Sequence, residues 1–216
     1  MSAAPGVIGL RQLAEGARAA GSLALDTEFM GEGRYRTLLC LVQLAIPERR
    51  ERAERILVLD PLPEDLDASP LADVLADPTV QIVVHAGRQD IALVRRRFAT
   101  EVRNVFDTQL AAAFAGLGAQ VSYDSLLSDV LGLRVAKTAS FTRWDCRPLS
   151  PEQLAYARED VVHLHELAEE LGRRLSALGR LEWALEECEQ LQQASDEREL
   201  ETIFTRLPRL GSLNAS

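Results

Sequence analysis

Apolar positions along the chain alternate between helical spacing and short continuous runs. Residues 8–20 place Ile8, Leu10, Leu13, Ala14 and Ala17 on one helical face, and Gly21 closes the segment. The run Leu23-Ala24-Leu25 leads into Asp26-Thr27-Glu28 between Gly21-Ser22 and Gly31, and reads as a buried strand. Leu38 to Ile46 is a second strand, apolar almost throughout and therefore central. Ile56 to Leu59 is a third, reached through the charged turn Pro47 to Arg55, so the three strands form an antiparallel meander. Pro70 to Ala76 predicts a short helix stopped by Asp77-Pro78, and Val80 to Val84 a fourth strand. Gln89 to Phe98 is helical, with Ile91, Leu93, Val94 and Phe98 inward. Asn104 to Asp107 makes a fifth strand, followed by a helix over 109–115 and another from Ser122 to Leu131. After a polar loop at 134–149 comes the longest helix. Ser150 is its N-cap, Pro151 its first residue and Gln153 the capping-box partner, and the spacing carries it to about Leu171. Leu181 to Gln192 gives one more. The class is α/β: a mixed sheet, three-strand meander plus further strands, flanked by helices.

A length of 216 residues suits one domain, expected over 1–193, with a C-terminal tail at 194–216 that could open a linker to a further domain. No apolar run nears the roughly 18 residues of a membrane span. Met-Ser-Ala-Ala-Pro-Gly lacks the basic-then-apolar pattern of a secretory signal. Cys40, Cys146 and Cys188 are few and scattered, as expected of reduced thiols in a cytoplasmic protein, and a monomer is expected. A net charge of −9 argues against non-specific coating of nucleic acid, while leaving room for a basic rim around an acidic centre. Arginine supplies nearly all the positive charge, and Lys137, in the polar loop, is the sole lysine.

The candidate chemistry is carboxylate. On a strand, Asp26 and Glu28 share a face and Thr27 points the other way. Such a pair repels unless a cation intervenes, and hard oxygen ligands suit Mg²⁺ or Mn²⁺. The fourth strand runs into His85-Ala86-Gly87, whose glycine is expected to make the turn, and Asp90 falls in the first helical turn, where the dipole favours an anion. Tyr156 and Asp160, four apart, share a helix face with Leu164, Leu167 and Leu171, which points both toward the protein body. A buried aspartate there calls for a metal, or for an arginine at the helix flank.

Asp26-Thr27-Glu28-Phe29, His85-Ala86-Gly87-x-x-Asp90 and Tyr156-x-x-x-Asp160 resemble the three motifs of the DEDDy 3′→5′ exonucleases, and the ribonuclease D branch is the most similar. Phe106-Asp107-Thr108-Gln109, Trp144-x-x-Arg147-Pro148-Leu149 and Leu154-Ala155-Tyr156 extend the resemblance over about residues 20 to 193. It implies a ribonuclease H-like exonuclease fold, with Asp26, Glu28, Asp90 and Asp160 as catalytic ligands of two divalent cations, Mg²⁺ or Mn²⁺. Tyr156 would place the attacking water. The implied substrate is a single-stranded nucleic acid 3′ end, RNA favoured, with release of 5′-mononucleotides and a role in trimming tRNA or other stable RNA. Phe29, His85, Lys137 and Arg143 are the implied substrate contacts. Arg143 stands where the family often has an acid and His163 where an aromatic is more usual; longer members carry helical domains after the exonuclease domain, and with only about 20 residues left here the sequence is expected to be either a compact member or a fragment. His163 and His165 read as packing or surface residues. The alternatives are a DNA exonuclease of the Werner type, a non-catalytic nucleic-acid-binding relative, which would have lost an acid or the tyrosine, and an aspartyl-phosphate phosphatase, which needs an aspartate where Glu28 stands.

Overall fold

The computed structural model describes residues 9–31, 35–47, 55–134 and 143–195. Its centre is a five-stranded sheet of order β3-β2-β1-β4-β5, built from β1 (Ser22–Met30), β2 (Leu38–Ala45), β3 (Ile56–Leu59), β4 (Gln81–Val84) and β5 (Val105–Asp107). β1, β2 and β3 pair antiparallel as the expected meander, and β4 and β5 add parallel to β1. Each parallel join needs a crossover, and helices supply it.

Alternation along the strands sends two sets of side chains to two cores. Leu23, Leu25, Val42, Leu44, Ile82 and Val84 pack against α1 (Leu10–Ala20), α2 (Ser69–Leu75) and α3 (Arg88–Phe98). Ala24, Ala45, Val83 and Phe106 face α4 (Thr108–Phe114), α7 (Leu164–Leu178) and α8 (Leu181–Glu189). Both faces of β1 are thereby covered, which is why its apolar run is continuous.

Two segments depart from the sequence expectation. Ser122 to Leu131 is a short helix α5 (Tyr123–Leu126) that widens into a π turn over Leu127–Leu131 before Gly132 closes it in the left-handed region. The long helix is two: α6 (Pro151–Val162) breaks at His163, where φ is −112° and ψ 6°, and α7 continues to Leu178. Leu164, Leu167 and Leu171 therefore belong to a second axis that packs on α4, and do not extend the face carrying Tyr156 and Asp160. A helix end leaves carbonyls without partners, and buried Arg55 donates to one of them, the Val162 carbonyl, at 3.4 Å. His163 pairs with Glu166 at 3.0 Å, and buried His165 hydrogen-bonds the Ala45 carbonyl through Nε2 at 3.1 Å. Among the described residues no helix is long and apolar enough to cross a membrane.

Candidate active site

β1, the end of β4, α5 and α6 enclose a cavity of about 260 Å³, lined by Asp26, Thr27, Glu28, His85, Tyr123, Tyr156 and Asp160. A roomier cavity of about 500 Å³ lies under α7 and α8, lined by Ser22, Val83, Phe106 and His165 among others, and holds neither the four candidate carboxylates nor Tyr156. Chemistry selects the smaller one.

β1 supplies the first two acids. Asp26 sits opposite Gln43 of β2, and the register shifts between Glu28 and Phe29. Such an irregularity bends the strand end and re-aims its side chains. Thr27 is buried on the opposite face, and its hydroxyl donates to the carboxylate of Asp90. Asp90 thus approaches from the α3 side, behind Thr27. It does not line the cavity, yet its charge bears on both Asp26 and Glu28.

The turn after β4 is built differently from expectation. Ala86, with φ of 52°, takes the left-handed conformation, while Gly87 is needed for space: a Cβ there would stand 2.5 Å from the Val84 side chain. Asp107 at the end of β5 fixes the turn by accepting from the Ala86 amide at 3.0 Å and the Gly87 amide at 2.8 Å. The same carboxylate caps α4 through the Gln109 and Leu110 amides. The turn presents His85 to the cavity, where Nδ1 lies 2.9 Å from the Thr108 hydroxyl and the ring packs beside Tyr123 with centroids 5.6 Å apart. Burial holds His85 below the ordinary histidine range, against the opposing pull of Asp107.

α6 supplies Tyr156 and Asp160. Its start is the capping box read from the sequence, with Ser150 accepting from the Gln153 amide at 3.2 Å and Gln153 returning the contact at 2.9 Å. Buried Trp144 packs on Tyr156 at 6.0 Å between centroids. Arg147 pins that loop to the sheet, donating to Asp60 at 2.6 and 2.8 Å and to the carbonyls of Trp144 and Cys40 at 2.8 Å. The Trp144-x-x-Arg147 stretch is therefore a brace for the tyrosine.

Electrostatics mark the site. Burial, then the charges of Asp90, Asp160 and Glu28, raise Asp26 well above the carboxylate range. Burial followed by Asp160 and Asp90 pushes Glu28 up to about 8. Asp160 is pushed to about 7, by burial first and then by Asp124 and Glu159. Asp90 reaches about 6 through burial, which outweighs the Thr27 hydrogen bond that opposes it. Burial and then Asp160 and Glu28 also raise Tyr156, whose hydroxyl stays protonated at neutral pH. Among the described residues none of the four carboxylates forms an ion pair, so the arginine partner considered for Asp160 is not there.

Four acceptor-only groups that resist ionising together suit a hard divalent cation. They do not form a ready-made shell: among the described residues no three histidine, cysteine, aspartate or glutamate side chains converge on one ion position. The donor chemistry fits, and the carboxylates would have to draw together around the ion.

Two of the expected contacts, Phe29 and Arg143, do not line the cavity. Phe29 is 37% exposed. Arg143 is exposed and turned to Asp145 at 3.0 Å. Lys137 and Arg34 fall outside the described residues. Conversely, the cavity includes Thr27 and Tyr123, and buried Gln43 adjoins Asp26. In the sequence Gln43 is one polar letter in an apolar strand and Tyr123 the residue after the Ser122 cap, so neither carries a local signal.

The family model described as 3'-5' exonuclease matches residues 8–176. Ribonuclease D of Granulibacter bethesdensis is 44% identical over 165 residues, which are 76% of this chain and 40% of that protein. Escherichia coli RNase D, an exoribonuclease involved in structured RNA processing, superposes with a TM-score of 0.78 at 34% identity, over 88% of this chain and 49% of that one. Brucella melitensis NrnC, solved bound to pGG and with bound Mg²⁺, gives 0.72 and 0.71 at 26% identity, over 90% of this chain and 91% and 92% of those. The chain spans about two fifths of the ribonuclease D relative and half of the E. coli structure.

Proposed function

The chain belongs to the 3′-5′ exonuclease family, in its ribonuclease D-like part, and on that premise we propose that it hydrolyses single-stranded RNA from the 3′ end, releasing 5′-mononucleotides with the help of two divalent cations. The observation that carries the reading is a set of four carboxylates, displaced upward in pKa and in no ion pair among the described residues, of which Asp26, Glu28 and Asp160 line one cavity with Tyr156 and Asp90 acts on two of them from behind Thr27. Asp26, Glu28, Asp90 and Asp160 would hold the ions. When bound, Mg²⁺ or Mn²⁺ supplies charge relief to the phosphoryl oxygens and acidity to water.

The chain's own groups do the positioning. Tyr156 is held by Trp144 within reach of the acidic floor, and being protonated it can orient a water or pass on its proton. Neutral His85 closes the opposite wall. Escherichia coli RNase D is an exoribonuclease involved in structured RNA processing and NrnC has been seen bound to pGG, which favours RNA ends as the substrate class, including those of tRNA and other stable RNA. Residues 1–193 serve as the exonuclease unit in this reading. Lys137, Arg36 and Arg88 are its candidate phosphate contacts. Asp26→Ala and Asp160→Asn test it: each should lower Mn²⁺-dependent hydrolysis of an RNA oligonucleotide by several orders of magnitude while circular dichroism stays native. A folded variant of near wild-type rate would overturn the assignment.

A further inference from the structure

Tyr123 has no part in the motif set, yet its ring lines the cavity together with Asp26, Glu28, His85, Tyr156 and Asp160. Its hydroxyl oxygen is buried and makes no hydrogen bond of normal geometry with any described residue. The backbone of His163, at the break between α6 and α7, approaches that oxygen as a donor, so the hydroxyl's own proton has no acceptor. A buried donor left without an acceptor costs about 1–3 kcal/mol, and native folds seldom keep one without use. Asp160 and Asp26 act on the group through space, but neither accepts a bond from it. Among the described residues it has no acceptor, and a group that enters the cavity can supply one.

The walls say what could enter. His85 and Tyr123 form one tilted ring pair, Trp144 and Tyr156 another, and the acids lie along the same cavity. A nucleotide brings both a planar base for such walls and oxygens that only accept or readily accept hydrogen bonds. We propose that Tyr123 is a substrate-positioning residue, whose hydroxyl donates to an oxygen of the 3′-terminal nucleotide. The assignment rests on the exonuclease reading, and it gives the site two tyrosines of distinct task. Tyr156 handles the water and Tyr123 holds the nucleotide.

Tyr123→Phe removes only the oxygen and keeps the ring against His85, so the fold is retained. Calorimetric binding of 5′-AMP and 5′-dAMP in Mg²⁺ supplies a readout that needs no turnover. The expected result is a loss of about 5- to 30-fold in nucleotide affinity, the scale of one hydrogen bond to a charged or strongly polar acceptor. KM for RNA should rise in step while kcat stays within about threefold. A loss shared by AMP and dAMP places the acceptor on an oxygen common to both, in the phosphate or at the 3′ position, and one confined to AMP identifies the 2′-hydroxyl. Unchanged nucleotide affinity, a fall in kcat at constant KM, or a wild type that binds neither nucleotide would each overturn the proposal. Nucleotide binding without RNA hydrolysis by the wild type would instead remove the exonuclease reading and still decide Tyr123.

Discussion

Raising the pH should weaken the metal-free protein, and Asp160→Asn should remove part of that weakness. In an unfolded chain Asp160 ionises near pH 3.8, whereas in the fold it holds its proton to about 7. Between those values the folded state binds more protons than the unfolded one, so stability falls as pH rises, and the loss is complete above about pH 8. A difference of about 3 pKa units corresponds to about 4 kcal/mol. Partial exposure of the aspartate reduces that to about 2–4 kcal/mol. At about 2–4 °C per kcal/mol for a domain of this size, the variant's Tm should exceed wild type by about 5–10 °C at pH 8.5, and the gap should close as the pH falls below the unfolded value of 3.8. Comparing the two proteins removes the background. Asp60, held low by Arg147, completes its titration at more acid pH, and the buried His85 and His165 run in the opposite sense in both proteins. The assay is differential scanning fluorimetry in a chelator at several pH values, repeated with Mn²⁺. The ion should raise wild-type Tm most where the acids are ionised, by mass action on the folded state. A variant no more stable than wild type at pH 8.5 would refute the claim that these carboxylates are held together against their repulsion.

Tyr156→Phe should keep metal binding near wild type and cut single-turnover hydrolysis by about 10²- to 10³-fold, the scale of one lost proton-handling group; loss of metal binding would make the tyrosine structural. Gln43 is buried with neither amide atom hydrogen-bonded to a described residue, so Gln43→Leu should raise the metal-free Tm by a few degrees, about 1–2 kcal/mol, and a lower Tm would show the amide to be satisfied. With a net charge of −9, affinity for long RNA should fall steeply between about 50 and 200 mM salt in filter binding; a salt-insensitive complex would contradict phosphate contacts as its source.

Most of the frame was legible because local rules and burial agree along it. β1 ends in acids whose alternation follows from the strand itself, and Ser150-Pro151-x-Gln153 sets the start of α6 whatever lies around it. The break at His163 was not legible, since leucines at helical spacing run on past it. What ends α6 is tertiary: Arg55, over a hundred residues earlier, takes up the Val162 carbonyl. Gly87 was seen as a turn glycine, but the turn is carried by Ala86 and the glycine clears Val84, a contact no local pattern encodes. Tyr123 and the Thr27–Asp90 bond likewise exist only once strands and helices meet. Asp107, quoted as part of a resemblance, proved to be the acid that ties the β4 turn to the start of α4.

The central claim is a direction of cleavage at this acidic site. Matched single-stranded RNA, labelled at the 5′ or the 3′ end, should be incubated with the protein and Mn²⁺. The account predicts that the 3′ label appears at once as mononucleotide while the 5′-labelled strand shortens through a ladder, and that a chelator stops both. Early release of the 5′ label, internal cuts, or no hydrolysis under any divalent cation would contradict it.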